Sequence, residues 1–543
     1  MSVEAFADLL ERLVFTPGRL AKLALLRRWF AEQPDPDRGV GLAALTGELV
    51  FTAAKPSVVK ALVAERVDPV LLSLSQDYVG DLAETVALIW PQKTGVNAPP
   101  PTLSEVVEEL ELASRAEVPR LIERWLDTLD SNGRYALIKL VTGALRVGVS
   151  ARLAKTALAE WAGKSVEEVE EVWHGVAPPY LPIFRWLEGK AERPDPKDAP
   201  VFRPLMLAHP LEAADAPAVE AEPERWRAEW KWDGIRVQIV GSPGGQRMWS
   251  RTGEDVSNAF PEVLQGLDFH ATLDGELLVM REGSAGEKVV APFADLQQRL
   301  NRKVITAKMQ AQFPVGVRLY DLLTEGEEDL RALPFDQRRE RLEAWFARVR
   351  PRGMDLSPQI AFSSLHHLER LREGARAASI EGLMLKRADS PYVAGRVKGL
   401  WWKWKRAPLS VDAVVMYAQR GHGKRSSYYS DYTFGLWRDD GAGGQELVPV
   451  GKAYSGFTDQ ELIWLDRWIR EHTTGRFGPV REVEKELVLE VIFDAAQLST
   501  RHRSGVAMRF PRIARIRRDK PAAEADRLDT LMAMVEGSES EAA

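Results

Sequence analysis

The 543-residue chain contains no cysteine, which excludes disulfides, thiolate zinc sites and cysteine nucleophiles. Histidine is scarce, at eight residues, so a metal would be held mainly by oxygen ligands, and a hard ion such as Mg²⁺ suits them best. No apolar run approaches about 18 residues and no secretory pattern opens the chain, so a cytoplasmic location without membrane contact is expected. The glycine loops common to nucleotide enzymes are missing too. Neither G-x-x-x-x-G-K-[ST] nor a strand-borne G-x-G-x-x-G occurs, since "GHGKRSS" and "GAGGQEL" both fail the spacing. P-loop and Rossmann mechanisms are thereby disfavoured.

What is present is the composition of a globular protein, 45% hydrophobic and 28% charged, too long for one core and suggesting about three or four domains. The net charge of −6 hides an uneven distribution. Ser499 to Lys520 carries eight Lys/Arg against one acid, interleaved with Val506, Met508, Phe510, Ile513 and Ile516. That interleaving points to a folded, phosphate-facing patch rather than a solvated tail.

Apolar residues recur at three and four from Phe6 to about Ala162, the helical period. Pro/Ala/Glu-rich connections follow at Glu192–Pro200 and Ala213–Glu224. Short β-rich runs such as "EWKWDGIRVQIV", "ATLDGELLVM" and "LWWKWK" then predict an α+β domain of mostly antiparallel strands. After Ala407 further short strands fit a small closed barrel. The expected architecture is multidomain: all-α over 1–190, α+β over 200–406, a β-barrel over 407–530, and a frayed acidic tail over 531–543.

Side chains on a strand alternate faces with period two. In "EWKWD" this places Glu229, Lys231 and Asp233 together and Trp230 and Trp232 opposite. "LDGEL" pairs Asp274 with Glu276, and "WWKWK" separates Lys403 and Lys405 from Trp402 and Trp404. One such strand is an ordinary half-exposed sheet; three of them followed by a basic segment suggest a groove of lysines, arginines and carboxylates suited to a polyphosphate and its metal. A lysine there can act as a nucleophile, because burial beside other cations favours the neutral amine.

At this point the residues resemble the ATP-dependent DNA ligases of the covalent nucleotidyltransferase superfamily. "KWDGIR" (Lys231–Arg236) matches K-x-D-G-x-R, and "SRTGE", "LDGEL", "VRLYDLL", "EGLMLK" and "WWKWK" follow in the family's order. The resemblance implies that Lys231 takes AMP from ATP and that Glu229 helps to read adenine. Arg236 and Arg251 would contact ribose and phosphate, and Tyr320, often phenylalanine in the family, would stack on the purine. Glu276 would serve the ribose or a metal, with Asp274 and Glu381 as further metal ligands (Mg²⁺ or Mn²⁺), and Lys403 and Lys405 would neutralise the α-phosphate. Lys386 should point away, by strict alternation from Glu381. Where many members carry a Lys-Arg pair this chain has Arg396 and Val397, so Arg396 or Lys398 is expected to substitute.

"LVTGALRVGVSARLAKTALAE" (Leu140–Glu160) is similar to the family's helical DNA-binding domain, with Gly143, Arg146 and Gly148 in a turn that precedes a helix approaching the duplex backbone. The C-terminal segments look like the ligase OB-fold, whose last motif would place Arg517, Asp519 and Lys520 near pyrophosphate. The implied protein is a nucleoid-associated monomer sealing 3′-hydroxyl/5′-phosphate nicks in duplex DNA. An RNA-end ligase of the same superfamily and a non-catalytic nick-binding protein stand as alternatives.

Overall fold

The computed structural model describes residues 3–535 except 50, 52, 73–74, 76–80, 92–97, 144, 197, 284–287, 301, 303–304, 376–378, 421–427 and 442. The "GHGKRSS" segment and the last eight residues, "EGSESEAA", lie outside the described residues. Among those described, no helix is long and apolar enough to cross a membrane.

The N-terminal third is helical, as its period predicts, and its apolar stripes converge on one core running from Val3 to Leu187. The helix ends are set locally. Thr102 with Glu105 and Ser165 with Glu168 form capping boxes, Asp130 and Ser150 cap through their side chains, and Gly143 ends the Ser131–Thr142 helix in the left-handed region.

The middle third holds two sheets. One is built on β1 (Trp226–Trp232), β6 (Ile380–Arg387) and β7 (Trp401–Lys405), in the order β7-β6-β1, with short strands at His209–Pro210 and Gln359–Ile360 on its edges. The other contains β2 (Ile235–Ser242), β3 (Gly245–Ser250), β4 (Ala271–Glu282) and β5 (Val315–Glu325), in the order β3-β2-β4-β5. Pairing is antiparallel except at His209–Pro210 and Met354–Leu356. Since β1 and β2 are joined by only Asp233 and Gly234 yet belong to different sheets, the pocket opens where the two sheets part.

The C-terminal third is a seven-stranded sheet around β8 (Leu409–Arg420), β9 (Tyr429–Asp439) and β10 (Gln445–Ala453), with a two-stranded ribbon of Ala495–Leu498 and Val506–Arg509. The described ladders form an antiparallel half-barrel, consistent with the expected OB-fold. The folded part also extends past 530, because Leu531 and Val535 are buried in this core.

Candidate active site

A cavity of about 400 Å³ lies between the two central sheets, lined by Glu229, Lys231, Arg236, Arg251, Glu276, Tyr320, Glu381, Lys386, Lys403 and Lys405 together with Leu207, Met384 and Trp401. Nine of these are the sequence-expected residues. Alternation delivers Glu229 and Lys231 from β1 and Lys403 and Lys405 from β7, as anticipated. It does not deliver Glu381 or Tyr320. Register against β1 jumps from Ile380 to Gly382, and register between β4 and β5 jumps from Asp274↔Asp321 to Gly275↔Leu319. Glu381 and Tyr320 are thus the extra residues of two β-bulges, which turn them into the cavity.

The first bulge corrects the expectation for Lys386. With Glu381 displaced, Lys386 shares its side of the sheet and lines the pocket, 2% exposed, its Nζ 3.2 Å from Glu229 Oε2 and 4.6 Å from the centre of the Tyr320 ring. Gly382 permits the close approach this requires. Its φ is +151°, and a Cβ there would lie 2.2 Å from the Trp404 carbonyl oxygen.

Lys231 donates a hydrogen bond to Glu381, and Lys405 Nζ lies 3.6 Å from the same carboxylate oxygen. Burial alone would raise the Glu381 carboxyl, but Lys231 and Lys405 hold it below the ordinary range. Glu276 behaves oppositely: desolvation outweighs Lys231 and Arg236 and pushes it up to about 8. Lys403 is lowered, first by burial and then by Arg396, Lys405, Lys231 and Arg251. The pocket is thus a cluster of cations around few acids, a place for a polyanion.

Asp274 lies outside this wall. It is fully buried, accepts from Arg236 at 3.0 and 2.6 Å and from the Tyr392 hydroxyl at 2.7 Å, and so orients Arg236 rather than facing the cavity. Among the described residues no cluster of three or more His, Asp or Glu side chains is arranged for a metal. Arg396 reaches the pocket only through its field on Lys403, and Lys398 pairs with Asp215 at 3.2 Å. Asp233 turns outward to an ion pair with Arg509 of the C-terminal third. Arg517 and Lys520 bond Asp412 at 2.7 and 2.8 Å, with Asp519 on Arg517, so that motif does not line the cavity.

On the helical third, Arg146 and Gly148 border a separate hollow with Arg19, Ser150, Arg152 and Thr156. Arg146 and Gly148 both have positive φ, and Lys22 Nζ fastens the turn through the Val147 and Gly148 carbonyls at 2.7 and 3.1 Å. Arg19 and Arg152 were not singled out in the sequence. The Ser150 cap, which marks the start of the Ala151–Trp161 helix, places Arg152 beside the turn, but no short motif brings Arg19 to it.

Residues 205–405 match the family model described as "ATP dependent DNA ligase domain", and residues 425–520 match "ATP dependent DNA ligase C terminal region". The chain is 36% identical over 419 residues to the "Probable DNA ligase" of Koribacter versatilis, covering 72% of this chain and 70% of that one. It is 30% identical over 557 residues to "DNA ligase 1" of Korarchaeum cryptofilum, covering 99% and 98%. The solved structure "Pmar-Lig_PreS3" shares the fold, with a TM-score of 0.56 at 15% identity over 94% of this chain and 99% of that one. These matches span the cavity strands and the half-barrel together, and the chain belongs to the ATP-dependent DNA ligases.

Proposed function

We propose that Lys231 is the residue that carries AMP, on one observation: it stands among Lys403, Lys405 and Arg236 on the wall of the cavity. Its amine is held by Glu381, which Lys405 Nζ also approaches at 3.6 Å, so a metal or phosphate that draws Glu381 away frees the amine to turn toward the α-phosphate. In the first step the Lys231 amine forms a bond to the α-phosphorus of ATP and pyrophosphate leaves. The nick's 5′-phosphate oxygen next attacks that phosphorus and the N–P bond breaks. Finally the 3′-hydroxyl attacks the 5′-phosphorus and AMP departs, so each step rests on positioning and charge neutralisation.

Glu229 suits the purine. Its Oε1 is buried without a hydrogen-bond partner among the described residues, and an exocyclic N–H of adenine would satisfy it. Tyr320 offers its ring for stacking, Arg236 and Arg251 face the ribose and phosphates, and Lys403 and Lys405 the α-phosphate. Glu276 and Glu381 would hold Mg²⁺, which needs only one or two carboxylates beside waters and phosphate oxygens. When bound, the ion neutralises phosphate charge. Arg517 and Lys520 would meet pyrophosphate only after the C-terminal third reorients. Arg146, Gly148 and their neighbours grip the duplex backbone, with the chain acting as a monomer whose three bodies divide near residues 190–200 and 406–407.

Incubation with α-labelled ATP and Mg²⁺ tests the assignment. Covalent label should appear on the wild type and be absent from a folded Lys231→Ala variant. Label retained by that variant overturns the reading.

A further inference from the structure

The end of the Val166–Trp173 helix lies against the nucleotide-binding third. From it, Glu171 bonds two arginines of that third: Arg203 at 2.6 Å, and Arg331 as an ion pair. One residue past the helix, the His174 ring sits on Trp249 of β3 with centroids 4.3 Å apart and meets Phe202 edge-on at 5.8 Å. His174 is neutral there, since burial pushes it down to about 3.

Both contacts lead to the cavity. Trp249 immediately precedes the Ser250–Glu254 turn, closed by backbone hydrogen bonds from Ser250 to Glu254 at 2.8 Å and from Gly253 to Ser250 at 2.9 Å. That turn carries Arg251 into the pocket. It also rests directly on the helical third, since a Cβ on Gly253 would come within 3.3 Å of His174 Nε2 and 3.2 Å of Phe202. On the second route, the Arg331 carbonyl accepts from the Tyr392 amide at 2.8 Å, and the Tyr392 hydroxyl bonds Asp274, the residue that orients Arg236.

From this geometry we infer that His174 and Glu171 are positioning residues for ATP: the helical third braces Arg251 and Arg236 as well as holding DNA. The inference rests on the cavity being the ATP site. A ring wedged behind a turn fixes the turn's place, and a loop-borne arginine displaced by about 1 Å loses much of its hold on a phosphate. The side chain that touches the nucleotide is Arg251; His174 acts through Gly253 and Trp249.

Self-adenylation of the full chain, followed with α-labelled ATP and Mg²⁺, supplies KM and kcat separately. His174→Ala should raise KM for ATP about five- to tenfold with kcat within twofold, and His174→Phe, which keeps a ring in the wedge, should restore KM to within twofold of wild type. Nick affinity of the pre-adenylated protein should stay within twofold. A His174→Ala KM within twofold of wild type, or no rescue by phenylalanine, overturns the inference. If His174→Ala does not fold, Glu171→Gln decides, since an unchanged KM in that variant overturns it equally. A wild type that takes no label defeats the ATP reading itself, a different outcome from normal labelling in the variants.

Discussion

Arg509 of the C-terminal ribbon forms an ion pair with Asp233, the residue two positions beyond Lys231. The pair is largely removed from water, at 18% and 12% side-chain exposure, so deleting one member leaves a poorly solvated charge and costs more than an exposed pair would. It holds the C-terminal third with the ribbon toward the cavity while Arg517 and Lys520 stay bound to Asp412. Under the proposed mechanism this arrangement would serve the DNA steps rather than attack on ATP. Arg509→Ala should leave labelling by ATP within about twofold, yet slow single-turnover sealing by pre-adenylated protein about tenfold, the equivalent of about 1.4 kcal/mol. Equal slowing of both steps would defeat this division.

Lys386 and Glu229 are each 2% exposed and bonded to one another. Replacing Lys386 with methionine removes the hydrogen-bonded cation of a buried carboxylate and leaves it only Arg339, at 4.0 Å, at a cost of about 3 kcal/mol. Thermal unfolding should fall by about 6–12 °C, taking about 2–4 °C per kcal/mol for a body of this size. Double replacement with Glu229→Gln should recover much of the loss, whereas an additive double variant would show that the two do not interact.

The same strand shows where sequence reading stops. Alternation was sufficient for Glu229, Lys231, Lys403 and Lys405 because β1 and β7 are regular where they line the cavity. It failed for Lys386, since one extra residue in a ladder reverses every later side chain, and nothing local in "EGLMLK" announces the bulge except Gly382. Asp274 shares the cavity face in pattern, but the depth at which it lies is set by packing against Arg236 and Tyr392. The position of Arg517 and Lys520 depends on how the C-terminal third docks, a long-range property no short motif encodes.

Gly382→Ala tests the bulge. The added Cβ collides with backbone of β7, so β6 must shift and Glu381 must move away from Lys231. Labelling by ATP should fall at least about a hundredfold, and thermal unfolding should drop, since strain against backbone has no flexible side chain to relieve it. Near-normal labelling in Gly382→Ala would mean that the placement of Glu381 is not critical.

Glu276 gives the empty pocket a pH dependence. Its folded-state value of about 8 lies above the ordinary 4.5, so the stability it contributes is complete below about pH 4.5 and is lost as pH rises toward 8. Glu276→Gln stays neutral and escapes that loss. In EDTA and without nucleotide, the melting temperature of the variant minus that of wild type should rise from pH 5 to pH 8 and then level. A difference that is flat with pH would show that Glu276 ionises as an ordinary carboxylate.

The helical hollow makes a prediction about salt. A protein that neutralises a backbone phosphate releases counterions, and each such contact contributes about 0.9 to the slope of log K against log salt. Arg146 is the informative position because its φ is +46°, a conformation that glycine adopts without strain and alanine does not. Arg146→Gly therefore removes the charge while keeping the turn that Lys22 fastens from behind. Nick binding should weaken to a similar extent on every sequence, with the slope reduced by about 0.9. Adding Arg152→Ala, across the same hollow, should reduce it by about as much again. If the slope is unchanged although affinity falls, Arg146 acts by shaping the turn and the phosphate contact lies elsewhere. If neither changes, the duplex does not cross this face.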